Sequence, residues 1–265
     1  MPNLTNPSNR PGPGNPYRFF GDYLRRTYGC RVLKLPINAG LGCPNRDGML
    51  DTGGCIFCSN DGSSSPTALT SSEIAEQMAY ARSSFRRSDE HTRYIAYFQS
   101  FTNTYAPPES LKRLYDAATA FPDVIGLMIG TRPDCVDSDI LALIESYHRD
   151  HFELWIEFGM QSIHDKSLSL LNRHHTAADT LKAVTLAHEH RVAICLHIII
   201  GIPGESWEDM MSTAEAISHM PVQGVKIHHL HVIRDTPLEN MLRRGEVKLL
   251  DCNEYVSVVC DFIER

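Results

Sequence analysis

The sequence predicts an α/β fold: a partial (βα)6, TIM-like barrel of parallel strands with outer helices. Six short segments rich in β-branched residues alternate with segments of helical pattern, which is typical of a parallel sheet covered by helices. The chain has 265 residues, 42% of them hydrophobic, enough for one large core, although two smaller domains would also fit. In such a barrel, functional residues lie on the loops that lead from strands into helices.

The elements follow one another in a regular order. An opening helix is predicted over residues 17–28, and the next helix begins with a serine cap and an early glutamate. The predicted strands are RVLKLPI (31–37), YIAYF (94–98), VIGLMI (124–129), FELWIEFGM (152–160), VAICLHIII (192–200) and VKIHHLHVI (225–233). The later predicted helices are SSEIAEQMAYARSSF (71–85), PPESLKRLYDAATA (107–120), SDILALIESYH (138–148), TAADTLKAVTLAHEH (176–190), SWEDMMSTAEAISHM (206–220) and NEYVSVVCDFIE (253–264).

The chain is expected to hold one main folded unit. Residues 1–15 are rich in proline, asparagine and glycine and are predicted to be disordered, while residues 16–265 form the barrel core. Because the chain stops within a predicted helix at Arg265, we expect a C-terminal extension to be missing. No apolar run reaches the ~20 residues of a membrane span, and the N-terminus lacks the apolar segment of a signal peptide. We therefore expect a cytoplasmic protein with no membrane contact.

Composition and missing motifs exclude several classes of function. The formal net charge of −7 supplies no general attraction for polyanions. The sequence has no GxxxxGK[ST] loop and no GxGxxG after a strand, which argues against a P-loop NTPase and a dinucleotide-binding fold. Its eight cysteines, in a reducing compartment, are better explained by metal binding, chemistry or packing than by disulfides.

Three cysteines follow the first predicted strand in the stretch CPNRDGMLDTGGCIFC. Eleven residues separate Cys43 from Cys55, and two separate Cys55 from Cys58. Thiolates are soft ligands that suit iron–sulfur clusters, zinc and copper(I), and three of them leave one iron of a [4Fe–4S] cluster free. The glycines of this stretch suit a loop that folds closely around such a group.

This stretch resembles the cysteine motif of the radical S-adenosylmethionine (SAM) enzymes, with a longer first gap than the usual C-x3-C-x2-C. Long gaps are found in the Elp3-like branch of that superfamily, and the whole pattern looks most like its YhcC/YtqA-type subgroup. Further resembling phrases are YFQSFTNTYAP, IGTRPDC, EFGMQSIHDKSL, IIGIPGE and HHLHVIRDTPL. The resemblance therefore covers nearly all of residues 17–265.

The resemblance implies cofactors and a mechanism. Cys43, Cys55 and Cys58 would hold a [4Fe–4S] cluster whose free iron binds S-adenosyl-L-methionine. An electron from a donor such as flavodoxin or ferredoxin would cleave SAM and give a 5′-deoxyadenosyl radical, which abstracts hydrogen from a substrate. The barrel would hold substrate near the radical and keep water out.

Two alternatives to a cluster stay open for the three thiols. A structural zinc site needs a fourth ligand, and no His or Cys lies between Cys58 and His91 to complete a local site. Three unrelated core thiols are the second alternative. A non-catalytic, zinc-binding barrel that acts as a binding module is therefore the second hypothesis for the chain.

The resemblance also implies cofactor-binding residues. The usual GGE motif after the second strand is replaced by FQSFTNT, where Gln99, Ser100 or Thr102 would accept from the methionine amino group. The GTRPD stretch offers Thr131, Arg132 and Asp134 for ribose or carboxylate contacts. The backbones of Phe57 and Ile202 are expected beside the adenine.

Period-two alternation separates an apolar face of the strands from a face that points into the barrel. The residues expected to point into a polar cavity are Glu157, Gln161 and His197. An inward Glu157 requires a cationic or donor partner because a buried carboxylate is otherwise costly, and Arg132 is a candidate. Glu157 and Gln161 either contact cofactor or substrate or form a structural network, and His197 either contacts substrate or packs in the core.

Three histidines in HHLH suggest a metal site, but alternation places His229 and His231 on one face and His228 on the other. A shared ion is therefore not expected, and His229 is kept as a candidate substrate contact. The RHH loop at 173–175 is interpreted as solvated, with substrate contact as the alternative.

The cysteine motif does not define the substrate or the oligomeric state. Resemblance to the Elp3-like branch suggests tRNA wobble-uridine modification, with tRNA as a partner, whereas a small metabolite is the alternative. The acidic net charge counts against a polyanion unless another segment or protein supplies a basic surface.

Overall fold

A sheet of six parallel strands organises the computed structural model, which describes residues 17–59, 73–86 and 90–265. The strands are β1 (Val32–Ile37), β2 (Arg93–Phe98), β3 (Val124–Thr131), β4 (Glu153–Gln161), β5 (Ala193–Ile200) and β6 (Gly224–His229). Each strand pairs in parallel with its neighbours in the chain, so β1 and β6 are the two edges of the sheet. The sheet and its surrounding helices form a half-barrel, which confirms the predicted partial (βα)6 architecture.

The helices lie close to their predicted positions. They are α1 (Phe20–Tyr28), α2 (Ile74–Ser84), α3 (Pro108–Thr119), α4 (Ser138–Glu145), α5 (Asp165–Leu170), α6 (Ala177–Glu189), α7 (Trp207–Ser218), α8 (Pro237–Arg243) and α9 (Cys252–Glu264). The sequence pattern does not predict α5 and α8, because six or seven residues are too few to show helical periodicity. The predicted serine cap of α2 and the predicted disorder of residues 1–15 lie outside the described residues. Within the described ranges, no helix combines the length and apolar character that a bilayer crossing demands.

Reciprocal capping pairs fix the starts of three helices. At α6 the Thr176 hydroxyl accepts from the backbone N–H of Asp179, and the Asp179 carboxylate accepts from the backbone N–H of Thr176. The equivalent pairs are Ser206 with Asp209 at α7 and Asp251 with Glu254 at α9. Such reciprocal capping contributes about 1 kcal/mol per helix start, so the chain is directed into helix at these positions.

Strand β6 ends at His229, whereas the sequence predicted a strand that continues to residue 233. Its partner β5 ends at Ile200, and Gly201 then turns the chain with a φ of +85°. Leu230 still donates its backbone N–H to the carbonyl of Ile200 at 3.3 Å, but the ladder ends there. A strand without a partner loses its backbone hydrogen bonds, so the chain leaves the sheet.

The apolar faces of the strands pack under the helices, as alternation predicts. The main buried core contains Leu154, Ile156 and Phe158 of β4, together with residues of neighbouring strands and of the helices that cover the sheet. Trp155 of β4 belongs instead to a separate buried group inside the barrel. The inner face of the sheet is therefore free to carry polar residues toward a cavity.

Helix α1 covers the N-terminal end of the barrel through the buried Glu153. The hydroxyls of Tyr23 and Tyr28 each donate to Glu153 Oε1 at 3.0 Å, and Trp155 Nε1 donates to Glu153 Oε2 at 2.7 Å. Phe20 packs edge-on against Trp155, with ring centroids 5.3 Å apart. Three donors offset the desolvation of this carboxylate, so α1 is fixed to β4 by polar and apolar contacts together.

Replacing Gly126 of β3 by alanine is expected to lower the free energy of unfolding by about 1–3 kcal/mol. An added Cβ would lie 2.8 Å from Glu153 Cβ and 2.9 Å from the Glu153 carbonyl oxygen, so β3 and β4 would have to separate. Urea denaturation measures the effect, and Gly224→Ala in β6 is the control because its Cβ would meet nothing nearer than 3.4 Å. Equal midpoints for the two variants would contradict the close approach of the strands.

Candidate metal centre and cofactor cavity

One cavity of about 350 Å³ is lined by three thiols. These are Cys43, Cys55 and Cys58, which all lie in the loop that follows β1. The loop is held in shape by Arg46, whose Nη2 donates to the carbonyls of Cys58 at 3.1 Å and Ser59 at 2.7 Å. Gly54 has a φ of +70°, and a Cβ there would lie 2.8 Å from Arg46 Nε. Glycine is therefore favoured at this position by the positive φ, and a larger residue would also displace the Arg46 side chain.

A second loop, after α5, fastens the cysteine loop to the barrel. Asn172 Nδ2 donates to Asp51 Oδ2 at 2.5 Å and to the Gly54 carbonyl at 2.8 Å, while Asn45 Nδ2 donates to the Asn172 carbonyl at 2.5 Å. The hydrogen bond from Asn172, with those from the backbone of Thr52 and Gly53, lowers the pKa of Asp51 to about 2. Asp51 is therefore ionised across the neutral range and keeps accepting these bonds.

Arg173 brings a positive charge to the thiols. Its Nη1 lies 3.2 Å from Cys55 Sγ, its Nη2 donates to the Gly159 carbonyl at 2.9 Å, and Arg132 Nη2 donates to the Arg173 carbonyl at 2.7 Å. The interpretation of residues 173–175 as a solvated loop is wrong, because Arg173 and His175 are both buried. Sequence reasoning missed Arg173 because its burial depends on Cys55, 118 residues away in the chain, and the local pattern carries no sign of that contact.

The donor set fits a group larger than a single ion. Among the described residues, the three thiols do not form a set whose sulfur atoms all lie within 4.8 Å of one another. A structural zinc takes four ligands, and three thiols alone do not complete such a site. Three thiolates beside a buried guanidinium suit an iron–sulfur cluster, whose negative charge the arginine offsets.

Most of the predicted cofactor-binding residues line the same cavity. They are Phe57, Gln99, Thr131, Arg132, Glu157 and Gln161. Thr131 Oγ1 lies 2.6 Å from Thr104 Oγ1, which holds the end of β3. Two of the predicted residues, Ser100 and Ile202, are buried and do not line the cavity, and the Ile202 side chain packs with Leu171 and Leu230.

Glu157 is the centre of a polar network inside the barrel, as its place on the inner face of β4 predicts. Its carboxylate accepts from Tyr97 Oη and from His197 Nε2, each at 2.7 Å, and pairs with Lys34 Nζ at 3.3 Å and Lys226 Nζ at 3.8 Å. A carboxylate only accepts, so His197 donates through Nε2, and burial together with the two lysines lowers the pKa of His197. His197 is therefore a neutral donor.

Arg132 does not pair with Glu157, so that sequence-based alternative is wrong. Its Nε and Nη2 donate to the two carboxylate oxygens of Asp134 at 2.9 and 2.7 Å. The sequence indicated that Glu157 needs a cation, but it did not identify Lys34 and Lys226. A lysine in a strand is usually solvent-facing, and only the register between β5 and β6, which pairs Lys226 with His197, places it inside.

A metal ion on Glu157, Cys195 and His197 is disfavoured, although their ligand atoms lie within 4.8 Å of one another. Lys34 and Lys226 already neutralise the carboxylate, and a divalent cation there would meet both ammonium groups. Burial raises the pKa of Cys195 to about 12, so its thiol keeps its proton and is a poor ligand.

The histidines of the HHLH stretch divide between two faces, as predicted. The rings of His229 and His231 lie 5.1 Å apart, and His229 also contacts Tyr255 of α9 at 4.8 Å. His228 faces the barrel interior, with its ring centroid 5.1 Å from that of His197. His229 lies at the cavity rim, whereas His228, which was not singled out from the sequence, is the inner one of the three.

Fold and site together define an α/β half-barrel protein with a three-thiol site at the C-terminal ends of its strands. The family model for the radical SAM superfamily matches residues 37–217, and that for the radical SAM C-terminal domain matches residues 222–265. The chain therefore belongs to the radical SAM superfamily of enzymes.

Three relatives support the subgroup as well. The chain is 40% identical over 248 residues to the uncharacterized protein MJ0486 of Methanocaldococcus jannaschii, covering 93% of this chain and 76% of that protein. It is 36% identical to the uncharacterized protein YtqA of Bacillus subtilis, covering 94% of this chain and 77% of that protein. Protein YhcC of Escherichia coli is also 36% identical, with 93% and 78% covered. These similarities confirm the YhcC/YtqA-type resemblance.

More distant similarities reach the Elp3-like branch. A tRNA uridine(34) acetyltransferase of Methanocaldococcus infernus is 33% identical over 146 residues, covering 53% of this chain and 26% of that protein. The solved structure of Methanocaldococcus infernus Elp3 superposes with a TM-score of 0.61 at 20% identity, covering 87% of this chain and 53% of that chain. This chain thus spans about half the length of that structure, and the likeness shows a shared fold.

Proposed function

We propose that Cys43, Cys55 and Cys58 hold a [4Fe–4S] cluster, that the chain cleaves S-adenosyl-L-methionine reductively, and that its substrate is the wobble uridine of tRNA. The observation that carries the proposal is the meeting of three thiols and the Arg173 guanidinium in one cavity at the C-terminal ends of the strands. A cluster held there would supply the one electron that cleaves SAM into methionine and a 5′-deoxyadenosyl radical.

The chain's own residues bind and orient SAM in this proposal. Within the described part of the chain, Arg132 Nη1 and Arg173 Nε are buried donors without a hydrogen-bond partner, and they suit the SAM carboxylate. Gln99 and Gln161 line the cavity with amide groups that suit the amino group and the ribose hydroxyls. The backbones of Phe57 and Ile202 are proposed to contact the adenine.

The cavity walls favour the radical reaction by limiting water. Phe57, Ile199 and Leu230 contribute apolar surface beside the thiols, and the polar network of Glu157 occupies the interior. A reactive carbon radical survives to meet its substrate only where few other groups compete for it, so apolar walls beside the thiols suit this chemistry. An electron donor such as flavodoxin or ferredoxin would reduce the cluster.

The tRNA part of the proposal is supported by the similarity to tRNA uridine(34) acetyltransferase over 53% of this chain. Among the cations that line the cavity, Lys226 is the one that this proposal leaves for an anionic substrate, since Arg132 and Arg173 are assigned to SAM and Arg46 holds the cysteine loop.

Mass spectrometry of tRNA nucleosides tests the substrate. In cells lacking the gene, we expect at least one modified uridine of the wobble position to fall below about a tenth of its normal level. A gene copy with Cys55→Ala should not restore it, whereas Cys260→Ala should, because Cys260 is exposed on α9. Identical nucleoside profiles with and without the gene would remove tRNA and favour a small metabolite.

A further inference from the structure

A group of basic side chains lies in the cavity apart from the thiols, and we call Lys226, His197 and His228 the β5–β6 basic group. Lys226 and His228 are two residues apart on β6 and share its inner face. His197 is the register partner of Lys226 on β5, and its ring centroid lies 5.1 Å from that of His228. The three side chains therefore converge from adjacent strands.

Positive charge exceeds negative charge around this group. Glu157 is the one acidic residue among the described residues that line the cavity. Its carboxylate is shared by two ammonium groups, Lys34 at 3.3 Å and Lys226 at 3.8 Å. One carboxylate neutralises only one of them, so the two half-buried lysines leave a surplus positive charge beside the cavity. An anion bound here would be attracted more strongly than at an open surface.

The β5–β6 basic group also has N–H donors that could bind a further acceptor. Lys226 Nζ uses one of its three N–H groups in the 2.8 Å hydrogen bond to Tyr97 Oη, and its side chain is 35% exposed toward the cavities it lines. His228 Nε2 is buried without a hydrogen-bond partner among the described residues. Burial, with the nearby His197 and Lys226, lowers the pKa of His228 to about 3, so the ring is neutral and carries one N–H to donate.

We propose that the β5–β6 basic group binds a phosphate group of a nucleotide substrate. The inference rests on the proposed function, and it adds the part of the substrate that this end of the cavity recognises. Phosphate oxygens accept hydrogen bonds from both the ammonium of Lys226 and the imidazole of His228, and their charge offsets the surplus ammonium. Since the same cavity contains the thiols, a nucleotide held by its phosphate would lie beside the cofactor.

Calorimetric titration of the anaerobically purified, cluster-loaded chain tests the proposal with uridine 5′-monophosphate and uridine. We expect the monophosphate to bind at least about tenfold more tightly, since charge-assisted hydrogen bonds are strong in a confined site. Inorganic phosphate should compete with the monophosphate, and acetate at equal ionic strength should not. Equal binding of the monophosphate and uridine would overturn the proposal, and competition by acetate equal to that of phosphate would overturn the assignment to phosphate.

Two variants and a matched control test whether the preference for the monophosphate depends on the β5–β6 basic group. Lys226→Met should reduce the preference for the monophosphate to within about threefold, and His228→Phe should weaken it without changing a charge. Lys248→Met is the control, because Lys248 is 87% exposed and its ion pair, with Glu254 at 3.6 Å, lies outside the cavity. A full preference in both Lys226→Met and His228→Phe would overturn the proposal, and thermal melting shows whether either variant is folded.

The two proposals fail in different ways. A clear preference for the monophosphate with unchanged tRNA nucleosides would leave the phosphate site standing and remove tRNA as the substrate. A missing wobble modification without any preference for the monophosphate would leave the proposed function standing and remove the phosphate site.

Discussion

Replacing Cys55 by alanine is expected to lower the yield of 5′-deoxyadenosine from SAM by roughly 100-fold or more. Cys55 is the buried thiol of the three, and Arg173 and Asn45 both contact its sulfur, at 3.2 and 3.5 Å. With only two thiolates, a cubane cluster loses one of its three anchors. The measurements are iron content after anaerobic reconstitution, expected to be about four per wild-type chain, and product formation with dithionite.

Cys260→Ala serves as the matched control, because it removes an exposed thiol from α9 and leaves the cavity intact. It should retain wild-type iron content and product yield. Undiminished iron in Cys55→Ala would show that this thiol is not a ligand. A colourless wild-type protein with one zinc per chain would instead support the non-catalytic zinc-binding barrel.

Replacing Glu157 by glutamine is expected to lower the free energy of unfolding by about 2–4 kcal/mol, because it leaves Lys34 and Lys226 without their shared counter-charge. This is somewhat less than for a fully buried pair, since the lysine side chains are 32% and 35% exposed. Urea denaturation at neutral pH measures the loss. Glu246→Gln, which breaks an exposed pair with Arg244, should leave the urea midpoint close to that of the wild type, because solvent screens such a pair.

The same carboxylate makes stability depend on pH. Burial by itself raises the pKa of Glu157, but the hydrogen bond from His197 and the charges of Lys34 and Lys226 outweigh it and hold the pKa below its usual range. A carboxyl with a lower pKa in the folded state stabilises the fold fully above its unfolded pKa of ~4.3, and this contribution is lost as pH falls below that value. The Glu157→Gln variant should therefore lose less stability than wild type on acidification from about pH 5.

Removal of one lysine tests whether uncompensated positive charge causes the loss of stability in Glu157→Gln. Adding Lys34→Met to Glu157→Gln should recover part of the lost stability, because one of the two uncompensated ammonium groups is then absent. If the double variant is no more stable than Glu157→Gln, charge imbalance is not the reason for the loss.

The sequence pattern correctly predicted which side chains share one face of a strand, because this depends only on the local backbone. Alternation placed Glu157 and His197 on the inner face, because side chains of a strand alternate whatever the rest of the chain does. The same rule separated His228 from His229. The end of β6 at His229 was not predictable in this way, since it depends on where β5 ends and on Gly201.

The contacts that complete the site depend on long-range register instead. Arg173 contacts Cys55 across 118 residues, and Lys226 meets Glu157 only because β6 pairs with β5 in one particular alignment. A single sequence does not specify such alignments, since a shift of one residue would turn each side chain to the opposite face. Recognition of the cysteine spacing identified the thiols, whereas their cationic neighbours required the three-dimensional arrangement.

Strands β1 and β6 each pair on one side only among the described residues, and this has a consequence for how the scaffold can change during evolution. In a closed barrel, strand number and shear determine the diameter. Here Glu157 forms ion pairs with Lys34 of β1 and Lys226 of β6. The two edge strands are therefore linked by side chains instead of by backbone hydrogen bonds. Substitutions at those few positions can therefore change the width of the cavity without breaking any strand pairing, so substrates of different size become accessible while the loop of Cys43, Cys55 and Cys58 stays unchanged.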